Sequence, residues 1–363
     1  MHRTLFLLAA LTLPLAASAQ SVIRTTAGPM QITPVAVGFD EPWALAFLPD
    51  GSFLVTERAG RLILVRDGVQ QAVAGGPQVA EVGQGGLLDV MIPRDFAASR
   101  EVWLTFADPQ PDGASTAVGA GRLSADGTAL EGFRTLHTGD PALGGRHFGS
   151  RVIEAPDGTV FVTTGDRGTG PYGMQAQDQA RVEGKVIHLN RDGTAATRLP
   201  GWRAGLYSRG HRNAQGAAIG PDGALWLVEH GAQGGDEVNR VGQGLNYGWP
   251  VISYGENYGG GQIGVGTSAP DMEQPLHYWV PSIAPSGLMF YAGGLIPAWQ
   301  GDLFTGSLNS DFLSRLDPDR GFAEERLAAP QTGRVRDVAE GPDGAIWFVS
   351  VSDGAIYRLA PAE

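Results

Sequence analysis

Short apolar runs, each closed by a turn, recur along the whole chain, and four of them share one form. Residues 43–48 run into Pro49-Asp50-Gly51 and resume at 52–57. Residues 152–155 run into Pro156-Asp157-Gly158 and resume at 159–163. Residues 217–220 run into Pro221-Asp222-Gly223 and resume at 224–228, and residues 338–341 run into Pro342-Asp343-Gly344 and resume at 345–349. Proline presets φ and glycine takes the positive φ that completes the turn, so each copy predicts strand, tight turn, strand. Two weaker copies, 87–95 leading to 102–106 and 287–291 leading to 301–308, bring the units to six. Further strands are predicted at 61–65 and 355–359, with a strand at 32–37 completing the ring beside the last. A repeat of this size made of short strands, with no long helix, predicts an all-β fold, a six-bladed β-propeller. Two insertions between units, 168–181 and 254–275, belong on one face of such a ring and would shape a site there.

Composition sharpens this picture. A chain of 363 residues is long enough for one large all-β domain. Residues 1–19 read as a secretory signal peptide: Arg3, an apolar core from 5 to 17, and Ala17-Ser18-Ala19 before Gln20. The apolar core is too short to span a bilayer comfortably. That leaves 20–363 as a single propeller domain with no membrane span, periplasmic or secreted. There is no cysteine, so stability must come from the core. With 26 basic against 38 acidic residues the net charge is −12, which argues against nucleic acid and anionic membranes as partners. Lys185 is the sole lysine; the remaining positive charge is arginine, the better fork for carboxylates.

Several loops carry candidate chemistry. Gly144-Gly145-Arg146-His147-Phe148-Gly149 sets a histidine among glycines just ahead of a predicted strand. Such a histidine fits a proton acceptor, although most histidines flanked by glycines are ordinary loop residues. Arg212 and Asn213, side by side in 210–216, suit the edge of a planar polar ligand or a solvated loop. The 229–237 segment offers carboxylates and glycine-exposed carbonyls that suit calcium or a polar turn; its spacing is not that of an EF-hand. Arg334 and Arg336 alternate, so a strand there would point both to one side. Gly259-x-Gly261-x-x-Gly264 matches a dinucleotide pattern in letters only, since no strand precedes it and no helix follows.

Taken together these stretches resemble the soluble pyrroloquinoline quinone (PQQ)-dependent glucose and aldose sugar dehydrogenases, the glucose/sorbosone dehydrogenase family. The matching pieces include Pro42-Trp43, Gly83-Gln84-Gly85-Gly86, Arg146-His147-Phe148-Gly149, Gly165-Asp166, Gly210-His211-Arg212-Asn213, residues 231–237, Asn246-Tyr247-Gly248-Trp249-Pro250, Ala284-Pro285-Ser286 and Arg334-Val335-Arg336-Asp337, in family order. The resemblance implies a propeller enzyme that oxidises aldose sugars to lactones and passes electrons to an external acceptor, a quinone or small redox protein. His147 would be the catalytic base, and Gln84 would lie beside the substrate. Arg212, with a catalytic role as well, and Asn213 would contact PQQ. Arg334 and Arg336 would hold the cofactor's carboxylates. Gly231 and Ala232 would bind calcium through their carbonyls, and Glu237 and Tyr247 would belong to a second, structural calcium site. The chain departs from the best-known glucose enzyme in two places: Arg146 stands where that enzyme has aspartate, and Asn309 where it has a cofactor-binding lysine. The missing lysine points to the broader aldose sugar dehydrogenase branch, and short insertions imply a monomer. A calcium-dependent, lactonase-like hydrolase and a non-catalytic sugar-binding propeller are the alternative readings.

Overall fold

The computed structural model describes residues 20–168 and 171–362. The predicted leader, residues 1–19, lies outside them. Six antiparallel sheets follow one another along the chain. Blade one is built from Pro42–Phe47, Phe53–Glu57, Leu62–Arg66 and Val69–Val73; blade two from Leu87–Met91, Glu101–Gln110, Gly113–Leu123 and Leu130–Thr138. Blade three comprises Val152–Glu154, Val160–Thr163, Lys185–Leu189 and Leu206–Arg209; blade four comprises Ala214–Ile219, Leu225–Glu229, Asp236–Val241 and His277–Trp279. Blade five holds Pro285–Phe290, Leu303–Ser307, Leu313–Asp317 and Ala323–Leu327. Blade six holds Val335–Glu340, Ile346–Ser350 and Ala355–Pro361, and is completed by Gly28–Val37 and Ser21–Thr25 from the other end of the chain. Gly28–Val37 pairs with Ala355–Pro361 from Met30↔Pro361 to Val37↔Ala355, which closes the ring. The six-bladed propeller is the fold the repeats predict.

The turns form as their residues dictate. Gly51, Gly158, Gly223 and Gly344 all take positive φ. In each turn the preceding aspartate accepts a main-chain N–H two residues on: Asp50 from Ser52, Asp157 from Thr159, Asp222 from Ala224 and Asp343 from Ala345. The core is divided among six apolar clusters, each lying between two neighbouring blades. Leu62, Leu64, Leu88 and Leu104 join blades one and two in this way. Each fully buried Leu of this kind contributes about 1.5–3 kcal/mol, so many such residues stabilise a ring that has no disulfide.

The first strand of each blade lies against the first strands of its neighbours around the axis. Around the axis these strands are tied together by buried charge. The buried Arg151 of blade three places Nη1 3.0 Å from Asp89 Oδ1 of blade two and 2.9 Å from Asp337 Oδ1 of blade six. Its Nε donates to the Gln215 carbonyl of blade four at 2.6 Å, and its guanidinium lies 4.4 Å from the ring centre of Trp43 in blade one. The aspartates' other oxygens accept Val152 N and Leu45 N, tying blade two to three and six to one. Five blades thus meet at one guanidinium. Burial pushes the Asp89 carboxyl up to about 6, and Arg151 beside it opposes that shift.

Candidate active site

The loop joining blade two to blade three carries His147 into the axial pit. Its main chain turns sharply: His147 has φ 49° and Ser150 φ 82°. This path needs a neighbour without a side chain, because a Cβ on Gly165 would sit 1.9 Å from the His147 carbonyl oxygen. Gln84, from the loop after blade one, clamps the turn: its Oε1 accepts His147 N at 2.7 Å, and its own N–H donates to the Gly145 carbonyl.

Once Gly165 allows the two loops to touch, Asp166 faces the imidazole. Asp166 Oδ1 lies 2.6 Å from His147 Nδ1 and accepts Gly168 N at 2.8 Å; Oδ2 accepts Trp249 Nε1 at 2.7 Å. Burial alone would raise this carboxyl, but the His147 hydrogen bond and nearby positive charge hold it below the usual carboxylate value. An ionised carboxylate only accepts, so Nδ1 carries the proton and the Nε2 lone pair is left for the cavity. Burial pushes the His147 pKa below its ordinary value, against the upward pull of the Asp166 hydrogen bond. A neutral imidazole with a fixed tautomer is what a general base requires.

Asp166 and Trp249 have no role assigned by the sequence. The Gly165-Asp166 match lay among the resembling stretches, but the strand pattern could not single it out: the second strands of blades one and four end in acid, at Glu57 and Glu229, whereas that of blade three ends at Thr163, three residues before Asp166.

The pit also holds a cavity of about 210 Å³ with Trp43, Leu88 and Phe148 on its lining. Asn213, Gln215, Arg334 and Arg336 line it. Asn213 Oδ1 accepts Gly149 N at 3.1 Å. Arg336 Nη1 donates to Gln215 Oε1 at 2.8 Å, and the guanidinium lies 5.5 Å from the Trp43 ring centre. Burial, reinforced by Arg334 and Arg151, brings its pKa down to about 9. The expected alternation of the two arginines holds only in part. The strand begins at Val335, and Arg334 precedes it with φ 46°, donating Nη1 to the Leu308 carbonyl at 3.0 Å. Both nevertheless reach the same cavity. Asn309 lines it too, at the position where the resembling enzyme has lysine.

Arg212 lines the mouth of the pit together with His147. Nη1 donates to the His230 carbonyl and Nη2 to Tyr258 Oη, both at 3.3 Å, while the buried Nε has no protein partner. Gly231 and Ala232 lie on the same lining with Gln84 and His147. Of the acids in 229–237, two are committed to the fold. Glu229 accepts from His211 Nδ1, Arg212 N and Asn239 Nδ2. Asp236 accepts Gly231 N, Ile283 N, Ala284 N and Ser282 Oγ. Glu237 stands directly opposite Glu229 across two strands and shares Asn239 with it. Burial and the Glu229 charge push its carboxyl up to about 8. The Tyr247 hydroxyl donates to the Arg240 carbonyl and accepts Gly242 N, so only its main-chain carbonyl is left to meet an ion. Among the described residues no three His, Cys, Asp or Glu side chains cluster as a metal site.

With this geometry in place, the comparisons with known proteins are specific. Residues 39–358 match the model of the glucose/sorbosone dehydrogenase family. The chain belongs to that family. It is 40% identical to the aldose sugar dehydrogenase YliI of Escherichia coli, over 89% of this chain and 90% of that one. A crystal structure of a glucose dehydrogenase superposes with a TM-score of 0.86 at 41% identity, covering 92% of this chain and 99% of its own. The PQQ-bound form of the aldose sugar dehydrogenase of Streptomyces coelicolor superposes with a TM-score of 0.76 at 26% identity, covering 94% and 99%.

Proposed function

We propose that this protein is a PQQ- and calcium-dependent dehydrogenase that oxidises the anomeric hydroxyl of aldose sugars to lactones. The observation that carries the reading is the His147–Asp166–Trp249 chain, which opens onto the same pit as Arg212, Arg334 and Arg336. The residues fit a planar polyanion. Trp43, Leu88 and Phe148 offer flat apolar surface, Arg336 and Arg334 offer cations for carboxylates, and the orphaned Arg212 Nε is a buried donor in search of an acceptor. Calcium takes main-chain carbonyls readily, and the carbonyls of Gly231 and Ala232 are the candidates beside the pit. Glu237 and the Tyr247 carbonyl are the candidates for the structural ion, which would let Glu237 ionise next to Glu229.

Bound in this cavity, the quinone with its calcium would accept the hydride from the sugar's C1. The protein's part is to hold the sugar and move a proton. His147 Nε2 takes the proton of the anomeric hydroxyl, Asp166 keeps the imidazole in the accepting tautomer and steadies the cation that forms, and Gln84 fixes the loop that carries it. Arg212 lies where its charge favours negative charge developing beside it. Electrons leave to an external quinone or small redox protein, and a cleaved leader in residues 1–19 would export the enzyme as a monomer to the periplasm or medium. Among the described residues no helix is long and apolar enough to cross a membrane.

The test is dye-linked sugar oxidation by the purified protein with and without PQQ and calcium, beside His147→Ala. Activity that needs both additions and falls by orders of magnitude in the variant supports the reading. No dye reduction with any aldose after reconstitution ends it.

A further inference from the structure

The mouth of the pit widens into a groove of about 750 Å³ between the two insertions, and Arg146 and His147 both line it. The walls are mostly apolar, with Met174, Trp249, Val251 and Ile263 among them. Asp166 is the one carboxylate on the lining, and both of its oxygens are already taken. Arg212, the other guanidinium there, donates to His230 and Tyr258. Arg146 is different. It is exposed and has no carboxylate or other acceptor among the described residues, and its stem runs beside Gly168 next to the imidazole: a Cβ on Gly168 would lie 3.3 Å from Arg146 Cδ and 3.8 Å from His147 Nδ1. A chain of net charge −12 therefore presents an uncommitted cation beside its base.

We propose that Arg146 binds an oxyanion carried by the substrate, so that the preferred aldoses are acidic sugars. This rests on the dehydrogenase reading of the pit and names its substrate class. The guanidinium fork matches a carboxylate or phosphate, and the apolar walls weaken competition from water. Arg146 and His147 are consecutive, so the anionic group and the reacting C1 must lie within one sugar unit or across one glycosidic bond. A hexuronate or an aldose phosphate meets that requirement. The charge of Arg146 reaches the imidazole and disfavours its protonation. A bound anion would offset that charge, so the acidic substrate would itself strengthen the base. The chemical step would be unchanged: the hydroxyl proton would go to His147, the C1 hydride to the bound quinone cofactor as C1–O becomes the lactone carbonyl, and the acid group would take no part.

The experiment has two readouts. Titration calorimetry on the purified protein compares glucose, glucuronate and glucose 6-phosphate, and kcat/KM on the reconstituted enzyme compares the same three. The expected result is a preference of about tenfold or more for at least one acidic sugar at low ionic strength, shrinking as salt is added. The two acidic arms show which oxyanion is read. In Arg146→Gln the ratio of acidic to neutral sugar collapses toward one, and Arg146→Lys restores part of it. Equal binding of neutral and acidic sugars, or a preference that survives Arg146→Gln, overturns the proposal. Oxidation of neutral and acidic sugars alike removes it while leaving the dehydrogenase reading intact. Arg146-dependent binding of an acidic sugar without any oxidation does the reverse.

Discussion

Replacing Asp166 by Asn keeps the shape of the side chain and removes its charge. In one orientation the new amino group faces His147 Nδ1, now 2.6 Å from Oδ1, and the remaining oxygen keeps Trp249 Nε1, now at 2.7 Å. The amide then donates to Nδ1 and forces the ring proton onto Nε2, where the hydroxyl proton must arrive. That orientation also sets the amino group against Gly168 N–H, and the other sets it against Trp249 N–H, so each puts a donor against a donor at a cost of about 1–3 kcal/mol; the second keeps the ring proton on Nδ1 but, like the first, leaves the imidazolium without its counter-charge. The first orientation removes the accepting lone pair and the second removes the charge that steadies the protonated ring, so base catalysis, worth about 10²–10⁴ in rate, is lost or weakened in both. At 1.36 kcal/mol per decade that is roughly 2.7–5.4 kcal/mol of transition-state stabilisation. The assay is steady-state oxidation of one aldose by reconstituted wild-type and Asp166→Asn enzymes, with kcat and KM separated and thermal unfolding run beside it. The loss should fall on kcat. A variant that folds and keeps kcat within about threefold would refute the claim that the Asp166 carboxylate supports His147 as the base.

Three further outcomes are expected. Because burial holds the His147 pKa below 6.5, the base stays neutral at neutral pH, so kcat/KM should hold as pH falls and decline only below that value; an acid limb centred above it contradicts the assignment. Asn309→Lys places a cation at the cofactor cavity and should tighten PQQ binding about tenfold, read by equilibrium dialysis with calcium present. Lys185 is fully buried, and its Nζ donates to the carbonyls of Gln175, Ala176 and Glu183 at 2.9, 3.0 and 2.6 Å. Lys185→Met leaves three carbonyls short of a donor and should cost on the order of 3 kcal/mol in denaturant unfolding.

The blades were legible because their information is local. A Pro-Asp-Gly turn depends on φ at two positions and on one aspartate oxygen, and all four copies use the same oxygen in the same way. The site was legible by residue type and not by partnership. His147 stood out among glycines, but its partner Asp166 belongs to the next hairpin and Trp249 to a loop in the next blade. Those three meet only because the ring brings loop ends to one axis, and no periodicity encodes that. The 229–237 acids were open in sequence between calcium and a polar turn, and in the fold Glu229 and Asp236 serve as hydrogen-bond acceptors for main-chain N–H groups. The Arg334-Val335-Arg336 alternation assumed a strand that starts one residue later.

The seam of the ring lies within blade six, where Gly28–Val37 lies beside Ala355–Pro361. Gln20 and Ala362 therefore border the same sheet, and Ala362 N donates to the Pro29 carbonyl at 3.0 Å. Nothing in the pit depends on where the covalent chain is cut, since the site draws its residues from loops all round the axis. A short linker across the seam, with new termini opened at an exposed Asp-Gly turn such as Asp222-Gly223, should give a circular permutant with the same arrangement of His147, Asp166 and Trp249. Such a permutant turns the ring's closing blade into an ordinary covalent one and moves the non-covalent join to a blade of the experimenter's choosing.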